Sequence, residues 1–294
     1  MTVLVTGANG QLGRSVGERL SAVDRAYVAL DSRQLDIGDG AAVAAQIKTA
    51  EYSAIINCAA YTAVDRAESE PAAAYRVNRD GAEHLAIAAR DAGIPLLHVS
   101  TDYVFDGSKA SPYQPADATA PLGVYGASKL AGEQAIAASG CRYLIVRTAW
   151  VFSEHGNNFV KTMLRLGAER DQLSVVADQF GSPTYAGDLA AVLVAAAEKM
   201  SESGCVELDN QIYHYGGTPS CRWHQFAEAT FAGALAEGVL PRGPQVNAIT
   251  TADYPTPAQR PAYSILPDQP LTGLLEVAEP SWPGGLQRLL AASH

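Results

Sequence analysis

Short apolar, β-branched runs alternate along the first half of the chain with segments whose apolar residues recur at helical spacing. Val3 to Val5, Tyr27 to Leu30, Ala54 to Ile56, Leu96 to Val99 and Tyr143 to Val146 predict strands, and the intervening patterns predict helices near 11–20, 41–50, 72–92 and 124–139. This alternation predicts an α/β fold, a doubly wound parallel sheet covered by helices on both faces, with ligands at the carboxyl ends of its strands. Cys58 to Thr62, Ser100 to Tyr103 and Thr148 to Trp150 each leave such a strand end, so they converge on one rim.

Beyond residue 150 the pattern changes. From Gly216 onward Pro and Gly punctuate the chain, which predicts loops and short elements instead of further strand–helix units. Residues 1–150 are therefore read as a nucleotide-binding domain and 151–294 mainly as a smaller C-terminal substrate-binding lobe. Apolar runs at Leu173 to Ala177 and Leu189 to Ala197 predict a return to the sheet around 173–199.

The glycines turn the first strand into a candidate site. Thr2 to Thr6 runs into Gly7, Gly10 and Gly13 and then into a helical pattern. A strand, a glycine turn and a helix N-terminus bring backbone N–H groups and a positive dipole end up to a phosphate, which predicts a dinucleotide cradle that includes Asn9, Gln11 and Leu12. Asp31 follows by about the 20 residues expected of a carboxylate that bonds an adenosine ribose. Ser32 and Arg33 complicate the cofactor choice, because a hydroxyl and a guanidinium suit a 2′-phosphate that Asp31 repels. NAD and NADP both stay open. Asp36, Ile37 and the segment Ala59, Ala60, Tyr61 and Thr62 complete the candidate cofactor contacts.

Tyr125 and Lys129 stand one helical turn apart on one face. A cation beside a phenol favours the phenolate and draws its pKa down from the usual value near 10, so the pair suits acid–base chemistry on a carbonyl.

With 294 residues, 48% of them apolar, and a formal net charge of −10, the chain can bury a sizeable core but is a poor partner for nucleic acid or an anionic membrane. No apolar run reaches membrane-spanning length, and Met1 leads directly into a strand, so a cytoplasmic protein is expected. Cys58, Cys141, Cys205 and Cys221 lack metal or disulfide spacing and read as free thiols. His84, His98, His155, His214, His224 and His294 read as structural or exposed, and no metal is expected.

The glycine loop at 7–13, Asn78 on the long helix, Ser100-Thr101 after the fourth strand and the Tyr125/Lys129 pair together resemble the extended short-chain dehydrogenase/reductase family. The resemblance implies a Rossmann-like fold with NADPH or NADH as cofactor. It also implies roles: Thr101 bonds the reacting oxygen, Tyr125 gives it a proton, and Lys129 binds the nicotinamide ribose and lowers the tyrosine pKa. Further blocks, 60–65, 100–105, 121–126, 129–133, 147–151, 157–159, 178–184 and 254–261, look like the branch that reduces nucleotide-sugar ketones. That closer resemblance implies reduction of the C4 ketone of dTDP-4-dehydro-6-deoxy-L-mannose to dTDP-L-rhamnose, the last step in supplying a precursor of rhamnose-containing cell-surface glycans such as O antigen.

A dTDP-sugar carries a diphosphate, for which Arg260 is the leading candidate and Lys161 the second; Asp102 and Trp150 are expected at the sugar, Trp150 through its apolar face and indole N–H. Some members of the branch form a metal-linked dimer through glutamates whose positions here correspond to Ser15 and Gly187. A monomer or weak homodimer is expected instead. The competing readings are a non-catalytic NADP-binding regulatory subunit and another nucleotide-sugar epimerase. A 4,6-dehydratase is disfavoured because no Glu follows Asp102.

Overall fold

The computed structural model describes residues 2–202, 207–267 and 270–293. Cys205 and His294 lie outside the described residues. Five strands follow the predicted runs closely: β1 (Thr2–Thr6), β2 (Tyr27–Leu30), β3 (Tyr52–Asn57), β4 (Leu96–Thr101) and β5 (Tyr143–Thr148). A sixth, Gln211–His214, joins them, and the sheet runs in the order Gln211–His214, β5, β4, β3, β1, β2, with every pair parallel. Strand order reverses at β1, between β2 and β3, so the crevice for a ligand opens above the carboxyl ends of these strands.

Each face of the sheet has its own core. On one side helices Gln11–Ala22 and Ala186–Ser201 bury Val16, Leu20, Leu189 and Leu193 against Val3, Val5, Ile56 and Val146. On the other, helices Gly40–Ile47 and Gly81–Ala92 bury Val43, Leu85 and Ala89 against Leu4, Ile55 and Leu96. The apolar run at 189–197 thus returns to the sheet as a helix. The run at 173–177 does not: it forms the strand Gln172–Val176, which pairs in parallel with Gln245–Ile249 away from the main sheet. The chain instead completes the sheet at 211–214. A short strand cannot announce its sheet, because periodicity reports burial and leaves the partner unspecified.

A third core of Phe152, Val160, Phe226, Phe231, Trp282 and Leu286 comes from the strand Val151–Phe152 and the helices Phe159–Glu169, Trp223–Ala236 and Trp282–Ala291. Trp150, which packs against this core, lines the crevice.

The helix expected over 72–92 is present as a continuous helical run from 71 to 92, with a π-helical insert. Helical turns at Pro71–Tyr75 and Gly81–Ala92 flank a π-helical segment, Arg76–Asp80. The wide turn carries Asn78, which is buried and tied to three groups. Its Oδ1 accepts from the Tyr61 N–H at 2.8 Å, and its Nδ2 donates to the Tyr61 carbonyl at 3.1 Å and to Ser128 Oγ at 2.9 Å. Regular helical pitch yields here to these side-chain bonds, as π-turns at functional sites commonly do.

Candidate active site

A cavity of about 750 Å³ runs over the carboxyl ends of β1 to β5. The glycine loop forms its floor. Gly7 has φ +72°, a left-handed conformation, and a Cβ there would lie 2.6 Å from the Ala59 backbone nitrogen. A Cβ at Gly13 would lie 2.2 Å from the Gly7 carbonyl, so the helix Gln11–Ala22 can approach the turn only without a side chain. The packing brings the helix N-terminus to the cavity, as a dinucleotide diphosphate requires.

Asp31 lines the cavity at the end of β2 and is already engaged. Its carboxylate accepts from the backbone N–H of Arg33 at 2.9 Å and of Gln34 at 3.1 Å, from Asn9 Nδ2 at 2.5 Å and from the Arg33 guanidinium at 2.7 Å. The Arg33 hydrogen bonds, foremost among these contacts, hold the carboxyl below its ordinary pKa. Arg33 is 83% exposed at the cavity mouth, with Ser32 beside it. A 2′-phosphate therefore meets a carboxylate partly neutralised by an accessible guanidinium. Asp36 and Ile37 also line the cavity, Asp36 paired with Arg76.

At the centre of the crevice the helix Val124–Ala138 presents Tyr125 and Lys129. Its start is drawn against Tyr103, because a Cβ at Gly126 would lie 2.1 Å from the Tyr103 carbonyl. Tyr103 and Tyr125 meet edge to face with centroids 5.4 Å apart. Burial pushes the Tyr125 phenol up to about 12, while the hydrogen bond from Thr101 pulls it down and the Asp102 charge pushes it up. At neutral pH the phenol carries its proton. Asp102 is itself buried, which raises its carboxyl to about 6, and it accepts from Thr101 Oγ1 at 3.1 Å.

Lys129 departs from its expected role. Its Nζ donates to the Val99 carbonyl at 2.7 Å and lies 3.0 Å from His98 Nε2; Thr101, not Lys129, holds the Tyr125 pKa down. The lysine is 1% exposed, and that burial lowers it to about 8, against the pull of Glu133. Full desolvation has turned the amine toward the nearest acceptors instead of the phenol.

Two residues expected at the substrate are engaged by protein oxygens in this structure. Arg260 is held by Asp65 and the Ala258 carbonyl and does not line the cavity. Lys161 is exposed, with its Nζ on the Glu154 carbonyl at 2.8 Å, and is likewise off the cavity wall. Trp150 does line the cavity. Its φ of +48° is a left-handed conformation unusual for a bulky residue, and its indole stacks on Trp223 with centroids 3.5 Å apart and planes 11° apart. Gly181 makes room beneath it, since a Cβ there would lie 2.4 Å from the indole.

Several wall residues carried no assigned role: Tyr103, Thr148, Asn157 and Asn158. Thr148 Oγ1 is buried without a hydrogen-bond partner, a polar atom suited to a ligand. Asn158 caps the helix Phe159–Glu169 and also donates to Gln11 Oε1 at 2.9 Å, tying that helix to the glycine-loop helix. The Asn157-Asn158-Phe159 block carried this signal as a helix N-cap. Ser15 is buried, with Oγ on the Gln11 carbonyl at 3.1 Å, and a Cβ at Gly187 would lie 2.4 Å from the Tyr185 ring.

Comparison with known proteins agrees with this arrangement. The profile of the family described as RmlD substrate binding domain matches residues 1–294. The chain is 48% identical over 290 residues to a dTDP-4-dehydrorhamnose reductase of Aggregatibacter actinomycetemcomitans, covering 98% of each. Among solved structures it is similar to a dTDP-4-dehydrorhamnose reductase of Clostridium acetobutylicum, with TM-score 0.90, 36% identity and 99% of each chain covered. It is also similar to one from Bacillus anthracis in complex with NADP, with TM-score 0.88, 40% identity and 98% of each chain covered.

Proposed function

This chain belongs to the RmlD substrate binding domain family, and on that premise we propose that it is an NADPH- or NADH-dependent dTDP-4-dehydrorhamnose reductase. In this reading it reduces the C4 ketone of dTDP-4-dehydro-6-deoxy-L-mannose to the alcohol of dTDP-L-rhamnose, closing the supply of that sugar donor in the cytoplasm. The observation that carries the reading is the meeting of a protonated Tyr125 phenol and the Thr101 hydroxyl on one wall of a cavity whose floor is the glycine loop.

The residues present fit a dinucleotide. The loop from Gly7 to Gly13 would hold the diphosphate, Asp31 and Arg33 the adenosine ribose and any 2′-phosphate on it, and Lys129 the nicotinamide ribose. When bound, the cofactor supplies a hydride to the carbonyl carbon. The chain's own part is to hold and protonate the oxygen. Thr101 turns its single hydroxyl proton from Asp102 to the carbonyl oxygen, and Tyr125 transfers its phenolic proton to that oxygen as charge develops on it. A phenol that burial keeps protonated at neutral pH is loaded for this direction of reaction. Trp150, backed by Trp223, offers a rigid apolar edge for the sugar, and the orphaned Thr148 hydroxyl offers it a hydrogen bond. Asp102 orients Thr101. The acidic net charge leaves nucleic acid out of this reading, and a monomer or weak homodimer is its assembly.

The test is oxidation of NADPH by the purified protein, using keto sugar generated from dTDP-glucose by the upstream enzymes, with the product identified by mass. Dinucleotide binding without turnover would instead favour a non-catalytic NADP-binding subunit.

A further inference from the structure

Behind the cavity wall a buried chain of side chains links β1 to Lys129. Thr6 Oγ1 donates to Asn57 Oδ1 at 2.7 Å, and the Ala59 backbone N–H donates to the same oxygen at 3.0 Å. A backbone N–H cannot accept, so Ala59 fixes which end of the Asn57 amide is oxygen. Asn57 Nδ2 then faces His98 Nδ1 at 2.9 Å. Nδ2 only donates, so His98 Nδ1 must accept, and the proton of the neutral imidazole sits on Nε2.

That Nε2–H points at Lys129 Nζ, 3.0 Å away, while Nζ donates to the Val99 carbonyl. An ammonium has no lone pair for the imidazole proton; an amine has one. Asn57, His98 and Lys129 are each 1% exposed, so no bulk water relieves a clash of donors. The other groups facing Nζ do not enforce a charge. Glu133, one turn along the helix, favours the ammonium, but its carboxylate is taken by Arg147 at 2.7 and 3.0 Å and by Ser100 at 2.5 Å. The Cys58 thiol is held neutral by burial at about 12, as is the Tyr125 phenol. His98 is itself driven well below its ordinary range by burial and by Lys129.

We propose that His98 is a positioning residue: locked by Asn57 in the Nε2–H tautomer, it favours the neutral amine of Lys129 in the free protein, and dinucleotide binding shifts that group to the ammonium. The proton comes from solvent and adds to the Nζ lone pair. The buffer acid loses its bond to that proton and leaves its conjugate base in solution, the His98 hydrogen bond to Nζ is exchanged for Nζ donation to a ribose hydroxyl, and the diphosphate charge entering the cavity favours the ammonium. The proposal rests on Lys129 being a dinucleotide contact.

Two measurements on the unmodified protein test it. Long-range proton–nitrogen correlation spectra of histidine-labelled protein, with His98→Gln to assign the signal, are expected to show His98 protonated on Nε2; protonation on Nδ1 would overturn the proposal. Calorimetry of NADH binding near pH 9, about a unit above the Lys129 pKa, in buffers of different ionisation heat, is expected to show uptake approaching one proton per site. NADH is the probe because it lacks the titrating 2′-phosphate. A binding heat independent of buffer would overturn the proposal while leaving dinucleotide binding intact, whereas failure of both NADH and NADPH to bind would sink the dinucleotide reading and this proposal with it. In His98→Phe, proton uptake should fall and the pH profile of NADH affinity should flatten, with His98→Gln, which keeps a donor toward Nζ, restoring both. Unchanged uptake in folded His98→Phe would overturn the role assigned to the imidazole.

Discussion

Arg260 sets its two terminal guanidinium nitrogens on the two carboxylate oxygens of Asp65, each at 2.8 Å. The pair joins the proline-rich segment at 255–261 to the short helix Val64–Ala67 that follows β3. The Ala258 N–H and carbonyl add contacts at 3.2 and 2.7 Å to the same pair. Their side chains are 23% and 41% exposed, so solvent screens part of the attraction, and the coupling should be about 1–2 kcal/mol. A double-mutant cycle of Arg260→Ala and Asp65→Ala, read by denaturant unfolding, should return that value, with NADPH affinity unmoved. Additive effects of the two changes would show that the bridge contributes nothing.

Tyr125→Phe should preserve fold and NADPH binding while turnover falls roughly 10²–10⁴-fold, the range for loss of one general acid. Steady-state NADPH oxidation beside an equilibrium titration of the cofactor separates the two effects. Near-normal turnover would place the proton donor elsewhere.

Arg33 should decide how well the protein accepts a 2′-phosphate. Its guanidinium is exposed and shared only in part with Asp31, so Arg33→Ala should weaken NADPH by about 5- to 30-fold, or about 1–2 kcal/mol, and leave NADH within a few-fold. The ratio of kcat/KM for the two cofactors is the measurement. An equal loss on both would assign Arg33 to holding the loop.

Lys129 should make folding stability depend on alkaline pH. Burial lowers it from 10.5 to about 8, so between those values the unfolded chain binds more protons than the folded one. Stability contributed by this group therefore rises with pH across that window, and the penalty, about 3 kcal/mol at most, is fully present below it. Lys129→Met removes the titration, so the stability of the wild type relative to the variant should climb from pH 8 toward pH 10.5. A constant difference over that window would mean the amine is not desolvated.

Chelation should leave activity and sizing behaviour unchanged, since neither Ser15 nor Gly187 offers the carboxylate oxygens a hard cation needs. Dissociation of a dimer by EDTA, followed by sedimentation, would contradict this.

The doubly wound sheet and the place of its ligand crevice were legible in the sequence because both rest on local rules. Strand periodicity, the glycine spacing after β1 and the Tyr125 to Lys129 interval each depend on residues close in the chain. So did the placing of Thr101 and Asp31 at strand ends. The partners that decide charge were not legible, because they come from distant segments. Asp65 meets Arg260 across 195 residues, and His98 meets Lys129 across 31. Asn78 bends its helix into a π-turn for Ser128, 50 residues away. Residue types and spacing thus determined which groups the chain brings to one rim. Tertiary packing alone decided which of them are paired, which are dry and which still hold a free valence for a ligand, because desolvation and hydrogen-bond competition act through space and not along the sequence.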